Sequence, residues 1–568
     1  VIELKLKSAE HAGVGLEGDA RKRFIEIANE LSRLQTDFSN HVLDATKAFH
    51  LDITDVKDTE GWPKSLKQVS AQLFKQAHPN HPTEVMPESG PWRITLDLPS
   101  FLPFMQHSRN REQRQAVYHA QITRASSGEW DNSPLVNRIL SLKREKAALL
   151  GFDTYAEFSL DSKMAPDVAA VQKMFDELTQ AAKPFAEKEF EEVSDLARAS
   201  GQEGEIRQWD WPFWSERLRE KRFDFTDDQL RPYFQLPKVL NGLFAVVANL
   251  FGVYIEMEQG DFPSWHPDVR LFRVKDEKGD QIASFYLDPF TRPQEKRGGA
   301  WMNECLNRKV KEGQVRHPVV HVCCNSTPPV GSTPSLMSFR EVETLFHEFG
   351  HALQGMLTTV DEMEVSGING VEWDAVELPS QFMENWCYHK PTLIGMTEHV
   401  ETGEPLPDDL FEKIRAARTF QSGYQTMRQL LFGIVDMKLH YELDDTSSQS
   451  PFEIYQKLAR ELSVFEPYEH DRFLCSFNHI FAGGYSAGYY SYKWAEVLSA
   501  DAFGAFEEAD LDDIDTIAKT GRRFRETVLS LGGSLHPMAV FKSFRGREPD
   551  TTALMRHSGF LGDDTNAG

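Results

Sequence analysis

Apolar residues recur at three- and four-residue steps early in the chain: Phe24, Ile27, Ala28, Leu31, Leu34, Phe38, Val42 and Ala45. That spacing lies on one side of a 3.6-residue helix and predicts one long helix with a single buried face. A Pro-, His- and Asn-rich break follows from Pro79 to Pro91, and Ile94 to Leu98 alternates like a short strand ended by Pro99. Helical periodicity returns from about Asn110 to Phe251, interrupted near Trp209 to Trp214 by an aromatic, Pro-containing loop. The most continuous apolar stretch, Val239 to Ile255, contains Asn241, Gly242, Asn249 and Gly252 and reads as a buried helix rather than a membrane span. Three β-like runs stand together at Val269–Val274, Ile282–Leu287 and Val319–Cys324, with Gly279 and Gly298-Gly299 as turn signals. Helices resume at Ser338, so the pattern predicts a mainly α protein with one small β region.

Composition narrows the function. At 568 residues the chain has room for about four domains of roughly 150 residues, or for fewer, larger lobes. Its 62 basic and 87 acidic side chains leave a formal charge of −25. Such a field repels phosphate backbones and anionic lipid, and no basic stripe offsets it, so neither nucleic acid nor a membrane surface is an expected partner. Five scattered cysteines are odd in number and too few to staple the chain, which suits a reducing compartment rather than secretion. Because the sequence opens at Val1 without a signal segment, an upstream portion is expected, and the cytoplasm and an organelle stroma or matrix both remain open.

The chemistry concentrates at Ser338-Phe-Arg-Glu-Val-Glu-Thr-Leu-Phe-His347-Glu348-Phe-Gly-His351. Ser338 and Glu341 form a capping box that starts a helix. Val342, Leu345, Phe346, Phe349, Leu353 and Met356 make its apolar stripe, and His347 and His351 lie roughly 130–170° from the centre of that stripe, turned away from the core. Two imidazoles at i and i+4 on one face suit one tetrahedral metal, and Glu348 beside them suits a general base. The longer HExxHxxGxxH pattern fails, with Gln354 and Leu357 at its last two positions. A third ligand must come from elsewhere. Ser366-Gly367-Ile-Asn369-Gly370 permits a reversal and Pro379 suits the first turn of a returning helix, which brings Glu377 into view, while Glu372 is the rival by spacing.

Further on, His479-Ile-Phe-Ala-Gly483-Gly484-Tyr485-Ser-Ala-Gly488-Tyr489-Tyr490-Ser-Tyr492 combines glycine pairs with tyrosines at i, i+4 and i+7. Such a stripe is commonly core, yet phenols and an imidazole are also the donors that a developing oxyanion needs. A Cys475/His479 thiol dyad has no visible activating environment.

These segments, with Glu377-Leu-Pro-Ser-Gln-Phe-Met-Glu-Asn-Trp386, Ser284-Phe-Tyr-Leu-Asp288, Lys296-Arg-Gly-Gly-Ala-Trp301, Val365-Ser-Gly-Ile368 and Phe544-Arg-Gly-Arg-Glu-Pro549, resemble the thimet oligopeptidase family of zinc metallopeptidases, nearest the oligopeptidase A branch. The resemblance implies His347, His351 and Glu377 as ligands of one Zn2+ per chain, Glu348 as base, and His479, Tyr485 and Tyr492 as stabilisers of the tetrahedral intermediate. Asp374 and Glu384 become candidates for orienting the ligands, and Gly367, Gly483, Gly484 and Tyr489 for touching substrate. The implied fold is a mainly α, zincin-type, neurolysin-like ellipsoid of two lobes around a deep channel, with the β region near the zinc. The division expected is an N-terminal helical region, residues 1–106, belonging to the non-catalytic lobe and shorter than usual, and a peptidase region, residues 107–565. The implied activity is endopeptidase cleavage of short unstructured peptides by a monomer, in intracellular peptide turnover that includes cleaved targeting peptides. The competing reading is a peptide-binding scaffold with a structural zinc.

Overall fold

Periodic segments become helices wherever a stripe of apolar residues has a neighbour to cover it. The structure, a computed structural model, describes residues 1–561 apart from 83, 224–226, 293–295, 297–298, 330, 332 and 444–448. Arg297 and Gly298 of the glycine-turn motif, and residues 562–565 of the expected peptidase region, lie outside the described residues. The first long stripe is the helix Gly18–Ala48, with Phe24, Ile27, Leu31, Leu34, Phe38 and Val42 buried. Ala28 is exposed and Ala45 half-buried, because the covered strip is narrower than the apolar one.

Proline displaced two boundaries. The short strand is Trp92–Ile94, antiparallel to Leu51–Ile53, and Pro99 sits in the first turn of a helix, Leu98–His107, instead of ending a strand. Likewise Trp209–Trp214 is not a loop, since Pro212 occupies the first turn of the helix Trp211–Phe223. Proline costs a helix nothing there, where its missing N–H has no intrahelical partner. The apolar stretch after it is the helix Leu236–Phe251, ending at Gly252, and Ile255 belongs to a strand.

The β region is a five-stranded sheet in the order Tyr254–Met257, Arg270–Lys275, Gln281–Phe290, Val319–Ser326, Trp301–Leu306. Only the pair Gln281–Phe290 and Val319–Ser326 is parallel. The three predicted runs are its central strands. Both edge strands were invisible to the apolar pattern because their residues are exposed or half-exposed.

One core runs from Ile27 to Phe560 and a second gathers Ile53, Trp62, Trp92, Phe104, Met105, Val117 and Trp209. Met105 and Val117 share that second core, so no break between cores falls at position 106, and the helix Gly18–Ala48 belongs to the larger core. A cavity of about 820 Å³ opens between the helices Leu98–His107, Arg111–Ile122 and Trp211–Phe223 on one side and Ser422–Tyr441 and Pro451–Leu462 on the other. Among the described residues no helix is long and apolar enough to cross a membrane.

Candidate metal centre and active site

The helix Phe339–Leu357 carries the HExxH segment, and its start is fixed as its sequence requires. Ser338 N–H donates to Glu341 Oε2 at 2.6 Å and Glu341 N–H to Ser338 Oγ at 3.2 Å. All six residues of its apolar stripe are buried, and Phe349 meets Phe285 of the sheet edge-on at 5.3 Å between ring centres. The opposite face is not left to solvent. A second helix, Leu378–Glu384, packs across it. Gly350 makes that approach possible, because a Cβ there would overlap the Pro379 carbonyl and Ser380 Cα. The motif helix is thus clamped between sheet and returning helix, and its histidines face an interior seam.

Glu377 stands at the N-cap position of the returning helix, and its side chain, making no capping bond, points into that seam. Its Oε2 lies 3.1 Å from His351 Nε2 and 3.3 Å from His347 Nε2. Among the described residues these three form the one cluster whose ligand atoms all fall within 4.8 Å of one another. Glu372, the spacing rival, is outside it. Two imidazole nitrogens and a carboxylate oxygen are the donor set of open zinc sites, so the residues fit the metal that the sequence implies. Ser380 Oγ–H donates to Glu377 Oε2 at 2.7 Å and fixes its rotamer.

His347 Nδ1 donates to Glu384 Oε1 at 2.6 Å. A carboxylate on the far nitrogen sets the tautomer that leaves Nε2 for a ligand bond and makes the ring more basic. Burial opposes charge on His347, but the hydrogen bonds to Glu377 and Glu384 outweigh it and push its pKa up to about 10. Burial likewise works against Glu377, and the two imidazoles overcome it and hold the carboxylate well below its usual range. Without a metal, then, His347 and Glu377 hold each other as an ion pair with His351 alongside, and a metal bound there would take the place of the proton on His347 Nε2. Glu348, on the same helix and 6% exposed, is held above the usual carboxylate range by burial.

Asp374 is the correction among the orienting candidates. It is fully buried and accepts from the N–H groups of Met164 and Ala165, at 2.7 and 2.9 Å, and from the Tyr490 hydroxyl at 2.7 Å. Its carboxylate pins the reversal to a distant segment rather than turning a ligand. Gly367 is also structural: buried, with φ +65°, it passes where any side chain would overlap Glu304, whose carboxylate accepts the Ile368 N–H.

The Gly/Tyr segment is a loop from Ala482 to Tyr490 leading into the helix Ser491–Glu508. The Tyr485 and Tyr492 rings stack at 5.2 Å with 12° between planes, and His479 meets Tyr485 at 5.7 Å and Tyr492 at 6.3 Å. Trp373, next to the reversal, closes on Tyr485 at 5.5 Å, so loop and seam adjoin. Burial, the neighbouring Tyr485 hydroxyl and the charge of Glu377 all raise the Tyr492 pKa, which keeps the phenol a proton donor. One edge of His479 faces solvent while tyrosine rings strip water from the other, and that burial lowers its pKa. Gly483 and Gly484 are exposed beside it. Tyr489, by contrast, is a core residue whose hydroxyl donates to Gln429 at 2.9 Å, so it has no free group for a substrate. The thiol dyad fails, since Cys475 is buried, lies beside the Ser133 hydroxyl, and has its pKa pushed up to about 11 by burial.

Two groups invisible to local pattern hold this loop. Fully buried Asp436 accepts the N–H groups of Ala487, Gly488 and Tyr489, each at 2.9 Å, and holds Ala487 at φ +46°. Buried Lys143 donates to the Ile480 carbonyl at 2.9 Å and to Ser486 Oγ, with burial pulling its pKa down to about 7.

A helical scaffold with a small sheet, an HExxH helix and a His-His-Glu seam defines a zincin-type peptidase. Its fold is similar to that of a solved PZ peptidase A bound to an inhibitor, with a TM-score of 0.53 at 14% identity over 98% of this chain and 78% of that one. The chain belongs to Peptidase family M3, whose pattern it matches over residues 104–560, and within it to the oligopeptidase A branch of the thimet oligopeptidases. It is 50% identical to the organellar oligopeptidase A (chloroplastic/mitochondrial) of Arabidopsis thaliana, over all of this chain and 72% of that protein. It is 50% identical to a probable cytosolic oligopeptidase A of the same plant, over 99% of this chain and 80% of that one. Identity to the oligopeptidase A of Escherichia coli strain K12 is 42%, over 99% and 81%.

Proposed function

We propose that this peptidase is a zinc-dependent endopeptidase acting on short unstructured peptides. The observation that carries the reading is the convergence of His347, His351 and Glu377 on one point, with Glu348 next to His347 on the same helix. His347, His351 and Glu377 would hold a zinc ion in that seam, where it would supply a Lewis acid for the amide carbonyl and the attacking water. Glu348 takes the proton of the attacking water, its raised pKa suiting both this step and delivery to the leaving amine. Glu384 holds the His347 ring through Nδ1 and Ser380 holds Glu377, so the ligand set is prepared before any substrate arrives. Tyr485, Tyr492 and His479 would offer hydrogen-bond donors beside the seam for negative charge that develops on the carbonyl oxygen. The relatives' organellar and cytosolic names support intracellular peptide turnover in either compartment, and cleaved targeting peptides, being short and unstructured, fall within the proposed substrate class.

The scaffold reading requires a closed site, usually with thiolate ligands, and no cysteine belongs to the cluster of described residues. A quenched ten-residue peptide incubated with the protein, with a zinc chelator and then with zinc restored, decides between them. Cleavage that stops and returns supports the peptidase reading, and chelator-insensitive or absent cleavage overturns it. A folded protein offered in parallel should stay intact.

A further inference from the structure

Resting on the peptidase reading, we propose that Arg428, in the cavity behind the Gly/Tyr loop, binds a carboxylate of the peptide substrate. The cavity is the large one between the second core and the helices Ser422–Tyr441 and Pro451–Leu462. It adjoins the loop through a chain of rings. Arg428 lies 5.5 Å over Phe432, Phe432 meets Phe477 at 5.5 Å and Tyr489 at 5.8 Å, and Phe477 meets His479 at 5.8 Å. Ser476 and Phe473, which line the cavity, precede His479 by only three and six residues. A peptide whose scissile bond sits beside His479 would, on this proposal, extend its flanking residues toward this space.

Arg428 is exposed to the cavity and makes no hydrogen bond or ion pair with any described residue; it lies over the face of Phe432 and within electrostatic reach of the Tyr118, Tyr424 and Tyr455 phenols. The other arginines on the wall are occupied. Arg219 pairs with Glu216 at 2.7 Å, and Arg124 donates to the Gln121 carbonyl and Thr46 Oγ1, both at 3.0 Å. The remaining acid on the wall, Asp471, is buried, receives the Tyr455 hydroxyl at 3.1 Å and the Phe473 N–H at 2.8 Å, and has its pKa raised to about 6 by burial, so it is a weakened competitor for Arg428. Counting Arg124, Arg219 and Arg428 against Glu216 and Asp471, the wall carries net positive charge within an acidic protein.

The second cavity adjoining the site has the opposite sign. Glu384, the partner of His347, lines a space of about 290 Å³ together with Glu343 and Glu496, against Arg418. A zwitterionic peptide meets carboxylates beside His347 and a guanidinium behind His479, which directs its carboxyl end toward Arg428. The planar fork of a guanidinium suits a carboxylate in two-point contact, and the face of Phe432, 5.5 Å away, attracts the same cation. The carboxylate is either the peptide C-terminus or an acidic side chain near it.

The test uses the full chain with zinc and three versions of one neutral ten-residue quenched peptide: free C-terminal acid, C-terminal amide, and amide with an aspartate one residue from the end. The wild-type enzyme should favour acid over amide about five- to tenfold in kcat/KM, mostly through KM, as an ion pair of this exposure allows. Arg428→Gln should bring that ratio to about one, and Arg428→Lys should retain part of it. Recovery with the aspartate peptide assigns the side chain as an accepted source, and its absence restricts the site to the C-terminus. An acid-to-amide ratio that survives in R428Q, or a wild-type ratio of one, overturns the proposal. The same three peptides are bound to E348Q and read by fluorescence anisotropy. If no peptide is cleaved at all, the peptidase reading fails, while the anisotropy ratio still decides the role of Arg428.

Discussion

The two halves of the candidate active site are built by opposite means. The His-His-Glu seam is made by secondary structure: two helices and a sheet press together, Gly350 sets their separation, and each functional side chain inherits its place from its helix. The Gly/Tyr loop has no such frame. Gly483 and Gly484 are exposed, and the segment is shaped from beneath by one buried carboxylate and one buried amine that bond its backbone. A metal site tolerates little misplacement and uses rigid elements, whereas groups that close on a passing substrate are set on a loop fastened at its ends and open at its Gly483-Gly484 tip. Damage to the first half should therefore appear in metal affinity, and damage to the second in turnover with the metal retained.

The largest separation is expected at Gly350→Val, which drives a side chain into the Pro379 backbone. Zinc affinity should fall by at least about 100-fold and stability by about 3 kcal/mol. Isothermal titration and thermal unfolding check both, and a variant that keeps wild-type affinity breaks the claim that helix separation sets the site. Next comes Asp436→Ala, which strands three buried N–H groups and should cost about 3–5 kcal/mol. It should lower kcat about 100-fold while one zinc per chain remains. Loss of zinc in this variant would erase the distinction between the halves. Glu384→Gln should cost about 10–100-fold in zinc affinity with the fold intact, because Nδ1 of His347 loses its charged acceptor.

Lys143 sharpens the comparison through pH. Its folded pKa of about 7 lies below the ordinary lysine value, so between these values the unfolded chain binds a proton that the folded one does not. Stability should rise as pH goes from 7 toward 10, by about 3–5 kcal/mol at most, and be lost as pH falls back to 7. Lys143→Met should flatten that part of the curve in urea unfolding at pH 7 and 9.5. An unchanged slope would place the charge elsewhere. The smallest effect is on salt: with a charge of −25, neutral or basic peptides should show a kcat/KM that declines by about two- to threefold between low and 0.5 M salt. A flat response would count against long-range attraction.

The seam was more legible in the sequence than the loop, for the same structural reason. Ser338, Glu341, the apolar stripe and the two histidines lie within nineteen consecutive positions, 338–356, of one capped helix, so local periodicity places them. Glu377 could not be separated from Glu372 by spacing, because the choice depends on how residues 366–370 turn. One signal was available for Glu384 over Asp374: it stands seven residues after Glu377 on the returning helix, two turns along the same face, whereas Asp374 precedes that helix. Asp436 and Lys143 gave no signal, since their partners lie about 50 and 340 residues away and a lone buried charge has no period. Tyr489 shows the limit in the other direction. It shares the i, i+4, i+7 pattern with Tyr485 and Tyr492, and only packing reveals that its hydroxyl is already taken by Gln429.

The central claim is that Glu348 moves protons beside a metal held by His347, His351 and Glu377. The measurement that tests it most directly is the single-turnover rate of peptide cleavage by Glu348→Gln alongside its zinc content. One zinc per chain with a rate at least about 1,000-fold below wild type is the predicted result. Full zinc occupancy with a rate within tenfold of wild type would contradict it.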